Sequence, residues 1–204
     1  MKEKFDDKHK HLIIKDYTDF LEVEHKKLYN EFPAEEIFPI ENIKFACTNN
    51  NYKILKFYDN TKLIGTAFIA ILKQSKYIVI NYFYIEKEFR GNGYGHIVIN
   101  LLQSELSEFN GIIVEVEPFE TDDPMNINNR RIRFYESLKF NIIDYNYKIL
   151  KTGENTYKDI LLQICNLKSN YDYVHSYNEL TEILDEYYKI IFDSDYKSQY
   201  QLLN

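Results

Sequence analysis

Residues 90–95 read Arg-Gly-Asn-Gly-Tyr-Gly and place three of the chain's six glycines within five positions. The run follows an apolar stretch at residues 77–85. It precedes residues 96–109, where apolar side chains recur at helical spacing. Glycine adopts positive φ angles and allows a ligand to approach the backbone closely. A strand, a turn of bare amides and a helix N-terminus together favour an anion site, usually for phosphate. This stretch therefore predicts a phosphate-binding turn.

Arginine is concentrated in two short segments of the chain. Lys and Arg together number 25, yet only four are Arg: Arg90 in the glycine run, and Arg130, Arg131 and Arg133 close together. The planar, permanently charged guanidinium group suits phosphate and carboxylate ligands. Both segments are therefore candidates for contact with an anionic ligand, and chance clustering in so small a set is the alternative.

Composition and charge narrow the class of protein. A length of 204 residues with 45% hydrophobic content fits one domain with a substantial core. The net charge of −7 argues against general nucleic-acid binding, which depends on basic surface. Residues 1–10 lack the apolar core of a signal peptide, and no apolar run has the roughly 18 residues of a membrane span. Cys47 and Cys165 show no metal-ligand spacing. We therefore predict a cytoplasmic protein without membrane contact or metal.

The order of the periodic segments predicts a mixed α/β fold. Three strand-like runs at residues 52–58, 63–72 and 77–85 have short polar connections and should form an antiparallel meander. A strand at 111–116 must run parallel to 77–85 if one helix crosses between them. The remaining predicted elements are a strand at 12–15, a helix at 19–32, a loop or short helical turn at 34–41, a helix at 129–138, strands at 140–148 and 158–167, and an amphipathic helix at 180–191.

Two motifs resemble those of the GNAT superfamily of N-acetyltransferases. Residues 90–95 match the family signature Arg/Gln-x-x-Gly-x-Gly/Ala, and residues 130–140 look like its second motif, which ends Phe-Tyr-x-x-x-Gly-Phe. The resemblance covers residues 12–167. It implies an α/β fold with a mixed, mostly antiparallel central sheet, two splayed parallel strands and flanking helices. The implied organisation is a flexible tail at 1–10, an acetyltransferase domain at 11–168 and a packed helical extension at 169–204.

The resemblance also implies acetyl-coenzyme A, bound where the parallel strands 77–85 and 111–116 splay apart. The pantetheine arm would pair with the backbone of Tyr84 and Ile85 like an added strand, and Asn128 matches a family asparagine that contacts this arm. A side chain at position 93 or 95 would block the pyrophosphate. The residues implied at the pyrophosphate are Arg90, Gly91, Asn92, Gly93, Tyr94, Gly95 and His96.

One position departs from the second motif. Lys139 stands where the family usually has glycine before Phe140. A left-handed conformation there costs a non-glycine residue roughly 1 kcal/mol. We therefore expect the turn after the second motif helix to be built differently.

Acetyl transfer to an amine requires a proton acceptor. A lysine-like amine with a pKa of about 10.4 is mostly protonated at pH 7, so a general base is valuable. Glu115, in the context Val-Glu-Val, resembles the base of ribosomal-protein N-terminal acetyltransferases; Glu117 and a water chain remain alternatives. Tyr135 matches the family's usual acid and would assist the departing thiolate mainly by hydrogen bonding, unless it only packs.

The sequence thus predicts an N-acetyltransferase that moves an acetyl group from acetyl-coenzyme A to a primary amine by direct attack in a ternary complex. The acceptor is left open between a small molecule and a peptide or protein N-terminus. A homodimer contact through the C-terminal helix is a further hypothesis. The alternative function is a catalytically inactive coenzyme-A-binding sensor or interaction protein, which the presence of both Glu115 and Tyr135 disfavours.

Overall fold

The computed structural model describes residues 12–203, apart from residues 49, 120, 122, 124, 155 and 169–175, and gives only the backbone of residue 144. The tail predicted at residues 1–10 lies outside the described residues, as does the start of the extension predicted at 169–204. The strands are β1 (Leu12–Asp16), β2 (Tyr52–Asp59), β3 (Lys62–Leu72), β4 (Tyr77–Ile85), β5 (Gly111–Val116), β6 (Asn141–Leu150), β7 (Tyr157–Asn166) and β8 (Tyr200–Leu203). The helices are α1 (Leu21–Leu28), α2 (Ile40–Thr48), α3 (Tyr94–Glu105), α4 (Ile127–Ser137) and α5 (Tyr177–Phe192).

The described strands form a single mixed sheet in the order β1-β2-β3-β4-β5-β7-β6-β8. β4 and β5 pair in parallel, and every other neighbouring pair is antiparallel. The predicted meander is confirmed as β2, β3 and β4. The crossover through α3 makes β4 and β5 parallel, as the sequence predicts. The fold class is therefore confirmed.

Helices cover both faces of the sheet. The first face packs against α1, α2 and α5, and its core includes Tyr82, Ile113, Tyr147 and Tyr188. The second face packs against α3 and α4, and its core includes Val98, Val114, Ile132 and Tyr135. Successive side chains of a strand point to opposite faces. Consequently each strand contributes to both cores.

A gap opens in the middle of the sheet, because β4 and β5 separate. Their pairing ends at Ile80 and Val114, although β4 continues to Ile85 and β5 to Val116. Asn81 is an extra residue of β4 at this point, since Phe68 pairs with Tyr82 whereas Ile69 pairs with Ile80. Such a β-bulge bends the strand and increases its twist. The bulge thus marks where the two parallel strands diverge.

The direction of the backbone groups along this gap follows from the pairing with β3. The N–H of Glu86 donates to the carbonyl of Ile64 at 2.9 Å. Backbone groups of alternate residues in a strand point to opposite neighbours. The backbone groups of Tyr84 therefore face β3, whereas those of Phe83 and Ile85 face the gap. Phe83 is a residue that the sequence patterns do not indicate.

Two elements differ from the sequence predictions because distant segments stabilise them. The short helical turn predicted within residues 34–41 is present as the 3₁₀ helix Ala34–Glu36, whereas α2, which begins at Ile40, is not predicted. Only Ile43 and Ala46 of α2 are buried, and they join the core that α5 completes from the far end of the chain. β8 is likewise unpredicted and exists through its pairing with β6.

The turn after α4 is also not built as expected. Lys139 adopts a left-handed φ of 68°, so the non-glycine residue keeps the usual conformation. The N–H of Phe140 donates to the carbonyl of Tyr135 at 3.1 Å, and that of Lys139 to Glu136 at 3.0 Å. These two bonds form a Schellman motif, and the rings of Phe140 and Tyr135, 5.2 Å apart, add its usual apolar contact. The expectation of a different turn is therefore wrong.

Candidate active site

The glycine turn between β4 and α3 leaves open space before the helix N-terminus. Gly91 and Gly93 have φ angles of 77° and 82°, in the left-handed region. A Cβ atom built on either residue would meet no other atom within 4 Å. The first amides of a helix have no acceptor within it, and they carry the positive end of its dipole. The turn thus offers an exposed concave backbone surface that suits a phosphate group.

Side chains around this turn hold it in place. Tyr94 donates from its hydroxyl to Asp59 at 2.9 Å, and Asn92 Nδ2 donates to the carbonyl of Arg90 at 3.2 Å. His96 lies 2.9 Å from the hydroxyl of Ser137, near the end of α4. These contacts fasten the turn and the start of α3 to their surroundings.

Gly95 is restricted by the protein itself. A Cβ atom there would lie 3.1 Å from the ring of Phe134 on α4. The small residue therefore allows α3 and α4 to pack closely, in addition to any role toward a ligand.

Arg90 folds back toward the gap. Its Nε donates to the carbonyl of Ile85 at 2.7 Å, and its guanidinium group pairs with Glu31, which follows α1. The residue thus joins the mouth of the gap to the first-face helices. An extended ligand that pairs with Ile85 would share or replace this contact.

Asn128 provides a polar group that suits an amide-bearing ligand. It lies in the first turn of α4, and its backbone N–H donates to Asn126 Oδ1 at 2.8 Å. Asn128 is 2% exposed, and its Oδ1 has no hydrogen-bond partner among the described residues. A buried polar atom without a partner is costly. The pantetheine arm of coenzyme A carries N–H groups that would satisfy this acceptor.

Glu115 lies on β5, just beyond the last residue pair between β4 and β5. Its Oε1 accepts hydrogen bonds from the hydroxyl of Tyr147 on β6 and, at 3.2 Å, from that of Tyr188 on α5. Removal from bulk water raises the pKa of Glu115, while the hydrogen bonds from Tyr147 and Tyr188 oppose the rise. A carboxylate with a raised pKa is a stronger base than an ordinary glutamate. Neither tyrosine is indicated by the sequence patterns, because nothing local distinguishes them among 19 tyrosines.

Glu117 has a different environment. It lies 3.3 Å from Lys158 Nζ on β7 and 3.9 Å from Arg131 on α4. Lys158 also bonds Glu36, at 2.8 Å, in the short helix Ala34–Glu36 before α2. The carboxylate of Glu117 is thus engaged by two cations, which reduces its availability as a proton acceptor.

Tyr135 lies on α4 in the core of the second face. Burial raises its pKa to about 12, and the nearby Arg131 has a smaller opposing effect. The hydroxyl therefore stays protonated throughout the physiological range and can act as a hydrogen-bond donor.

The two predicted catalytic residues lie on opposite faces of the sheet. Glu115 shares the first face with Ile113, and Tyr135 belongs to the second face. The gap between β4 and β5 connects the two faces. A molecule in this gap could therefore be approached by a base from one side and by an acid from the other.

Neither a group of metal-ligating side chains nor a membrane-spanning helix is found among the described residues. Its His, Cys, Asp and Glu residues form no group of three or more that could hold a metal ion. None of its helices combines the length and apolar character required to cross a bilayer.

Known proteins resemble this chain in sequence and in fold. The model of the acetyltransferase (GNAT) family matches residues 14–140, more than half of the chain. YjbC of Bacillus subtilis (strain 168), which is named as an acetyltransferase, is 29% identical over 188 aligned positions that cover 78% of this chain and 94% of that protein.

Two solved structures share the fold. A GNAT-family acetyltransferase from Bacteroides thetaiotaomicron has a TM-score of 0.66 and 22% identity, over 84% of this chain and 95% of that one. Spermidine N-acetyltransferase from Vibrio cholerae, solved in complex with CoA and spermine, has a TM-score of 0.56 and 15% identity, over 77% of this chain and 96% of that one.

Proposed function

The chain belongs to the GNAT acetyltransferase family, and from this premise we propose that it transfers an acetyl group from acetyl-coenzyme A to a primary amine. The observation that carries the proposal is the position of Glu115, a carboxylate with a raised pKa at the point where β4 and β5 separate. A base is needed there because the acceptor amine is protonated at neutral pH.

Donor binding is proposed along the gap and the glycine turn. The gap-facing backbone of Ile85 would pair with the pantetheine arm, with Phe83 as an added candidate, and Asn128 Oδ1 would accept from one of its amides. The turn and the start of α3 would hold the pyrophosphate. Within this proposal, the residues of the turn are Arg90, Gly91, Asn92, Gly93, Tyr94, Gly95 and His96. The backbone of Tyr84, predicted to pair with the arm, faces β3 instead and has no place in the proposed donor site.

Each of the two proposed catalytic residues has one task in the reaction. Glu115 takes a proton from the acceptor ammonium, directly or through water, and the free amine attacks the thioester carbonyl. The nitrogen of the resulting tetrahedral intermediate gives up its second proton as the carbon–sulfur bond breaks, and this proton reaches the departing thiolate through water to give the free thiol. The hydroxyl of Tyr135 donates a hydrogen bond to the departing sulfur, which has a thiol pKa near 8.5 and is a fair leaving group. Acetyl-coenzyme A supplies the activated acetyl group, and no metal is required.

The acceptor is proposed to approach from the first face, since the carboxylate of Glu115 lies on that face of the sheet. Glu36, Glu117 and Lys158 form an ionic bridge from the segment before α2 to the ends of β5 and β7. The charges of Glu117 and Lys158 are paired within this bridge, so neither is assigned a role in binding the acceptor. A small-molecule amine and a peptide N-terminus both remain candidates.

The organisation of the chain is part of the same proposal. We assign the acetyltransferase domain to residues 11–168 and an extension packed on it to 169–204, because α5 joins the core of the first face. A homodimer and a cytoplasmic location stay predictions.

An acceptor screen tests the proposal. Purified protein with acetyl-coenzyme A and a panel of polyamines, amino sugars and peptides should release free thiol, and mass spectrometry should find the acetylated amine. Binding of coenzyme A without thiol release on any amine would favour the sensor alternative. Absence of binding would contradict the donor site.

A further inference from the structure

Two tyrosines from distant parts of the chain meet at the Glu115 carboxylate. Tyr147 lies on β6 and Tyr188 on α5, and both donate to Oε1. Their hydroxyl oxygens also lie 2.7 Å apart, within hydrogen-bond distance. Tyr147 is 2% exposed and Tyr188 1% exposed. The three side chains thus form a largely enclosed polar cluster on the first face.

The two hydrogen bonds affect both the ionisation and the orientation of the Glu115 carboxylate. A carboxylate that accepts two hydroxyl donors is stabilised in its ionised form. Burial alone would favour the neutral acid, which is a poor proton acceptor. The hydrogen bonds from Tyr147 and Tyr188 act against burial and lower the pKa of Glu115. They also restrict the side chain to one orientation beside the gap.

We propose that Tyr147 and Tyr188 are positioning residues that keep Glu115 oriented and ionised for proton transfer. The inference rests on the proposed role of Glu115 as the base. It makes α5 part of the active centre, although α5 lies beyond residue 140, where the match to the family model ends.

Other groups also face Glu115 and must be considered in any titration. They are Lys158 from β7, Tyr187 from α5 and Tyr82 from β4. Tyr187 accepts a hydrogen bond from Asn81, the bulge residue of β4. Burial is the main cause that raises the pKa of both Tyr82 and Tyr187 above the ordinary value, and the charge of Glu115 adds to it. At Tyr82 a hydrogen bond with the backbone of Phe38 acts in the opposite direction. Both tyrosines therefore remain neutral in the range where a carboxyl group titrates.

The test compares Tyr188→Phe and Tyr147→Phe with the wild type in two measurements. The first is kcat/KM against pH, and the second is the pKa of Glu115 from carboxyl-carbon NMR, assigned with Glu115→Gln. Each variant should move the acid limb and the NMR pKa upward by about one pH unit, since a hydrogen bond to the charged form is lost. Activity at neutral pH should fall and recover in part at higher pH.

Tyr52→Phe is the matched control. Tyr52 is a buried tyrosine of the same core, and its hydroxyl has no hydrogen-bond partner among the described residues. Neither measurement should change in this variant. The ring of Tyr188 stacks on Tyr200, with centroids 4.9 Å apart, and phenylalanine keeps that contact, so the fold should survive.

The outcomes separate this inference from the proposed function. An unchanged Glu115 pKa in both tyrosine variants overturns the inference, whatever the activity. A uniform loss of activity with an unchanged pH profile assigns the tyrosines a purely structural role, which also overturns it. Full activity in Glu115→Gln removes the proposed base, and the tyrosines then position a carboxylate with no catalytic task.

Discussion

The proposed donor side and the proposed acceptor side of the gap are built in different ways. On the proposed donor side, the surface that would face the phosphate comes from the consecutive residues 90–96, and its main feature is backbone conformation. On the acceptor side, Glu115, Tyr147 and Tyr188 come from three elements and meet only in the folded protein. A site made of backbone is recognisable in a short sequence. A site made of side chains on separate elements depends on tertiary packing.

The largest effect on activity is expected from a substitution of Glu115, on the proposed acceptor side. We expect Glu115→Gln to lower kcat/KM by about a hundredfold, the scale of a lost general base. Wild-type activity should rise with pH through the pKa of Glu115, which burial places above that of an ordinary glutamate, and this limb should vanish in the variant. Measurement of kcat/KM against pH, with unfolding midpoints for both proteins, checks the result.

Glu117→Gln is the control for that experiment. Glu117 is engaged by Lys158 and Arg131 at the surface, so we expect an effect of no more than about threefold. If the two variants exchange behaviours, Glu117 is the base and the assignment of Glu115 fails.

The second-largest effect on activity is expected from a substitution of Tyr135, in the core of the second face of the sheet. We expect Tyr135→Phe to lower kcat by about tenfold, which corresponds to one hydrogen bond of about 1.4 kcal/mol in the transition state. The KM for acetyl-coenzyme A should not change. Because the pKa of Tyr135 is about 12, the loss should be the same from pH 6 to 9. Unchanged turnover would remove Tyr135 from the mechanism.

A smaller effect is expected in the glycine turn. Gly93→Ala forces a side chain into a φ of 82° and into the space before α3. We expect the KM for acetyl-coenzyme A to rise about fivefold, equivalent to about 1 kcal/mol.

Gly153→Ala is the matched control. Gly153 has a φ of 77° and a Cβ atom there would meet no atom within 4 Å, but it lies in the turn between β6 and β7. Both variants should lose about 1 kcal/mol of stability. An equal change in KM would show that the glycine turn has no special relation to the donor.

The smallest effect separates stability from function. Lys139 has a φ of 68°, and glycine would adopt it without strain. We expect Lys139→Gly to raise the free energy of unfolding by about 1 kcal/mol and to leave kcat and KM unchanged. Denaturant titration measures the first quantity. A decrease in stability would show that the Schellman motif relies on the lysine side chain.

The strands of the meander and the parallel pair could be predicted because each follows from local periodicity and connection length. α2 and β8 could not, since they are stabilised by α5 and β6 from distant parts of the sequence. The left-handed conformation of Lys139 could not be predicted from residue type either. Two backbone hydrogen bonds and the contact between Tyr135 and Phe140 outweigh the conformational cost of a non-glycine residue there.

The residues of the candidate site also differ in whether local sequence or tertiary contacts reveal them. The motifs indicate the glycine turn, Asn128 and Tyr135 by position in the sequence, and their roles stay predictions. The hydroxyls around Glu115 and the gap-facing backbone of Phe83 become visible only through strand alternation and side-chain contacts.

The divergence of β4 and β5 also bears on solubility. Strand edges with unpaired backbone groups are templates for aggregation when they lie at the rim of a sheet. Beyond Ile80 and Val114 the open edges lie inside the sheet instead, between helices packed on both faces. A second protein chain would meet those helices before it could pair with the strands. The fold can therefore keep an open edge for a slender molecule without exposing it to intermolecular strand pairing.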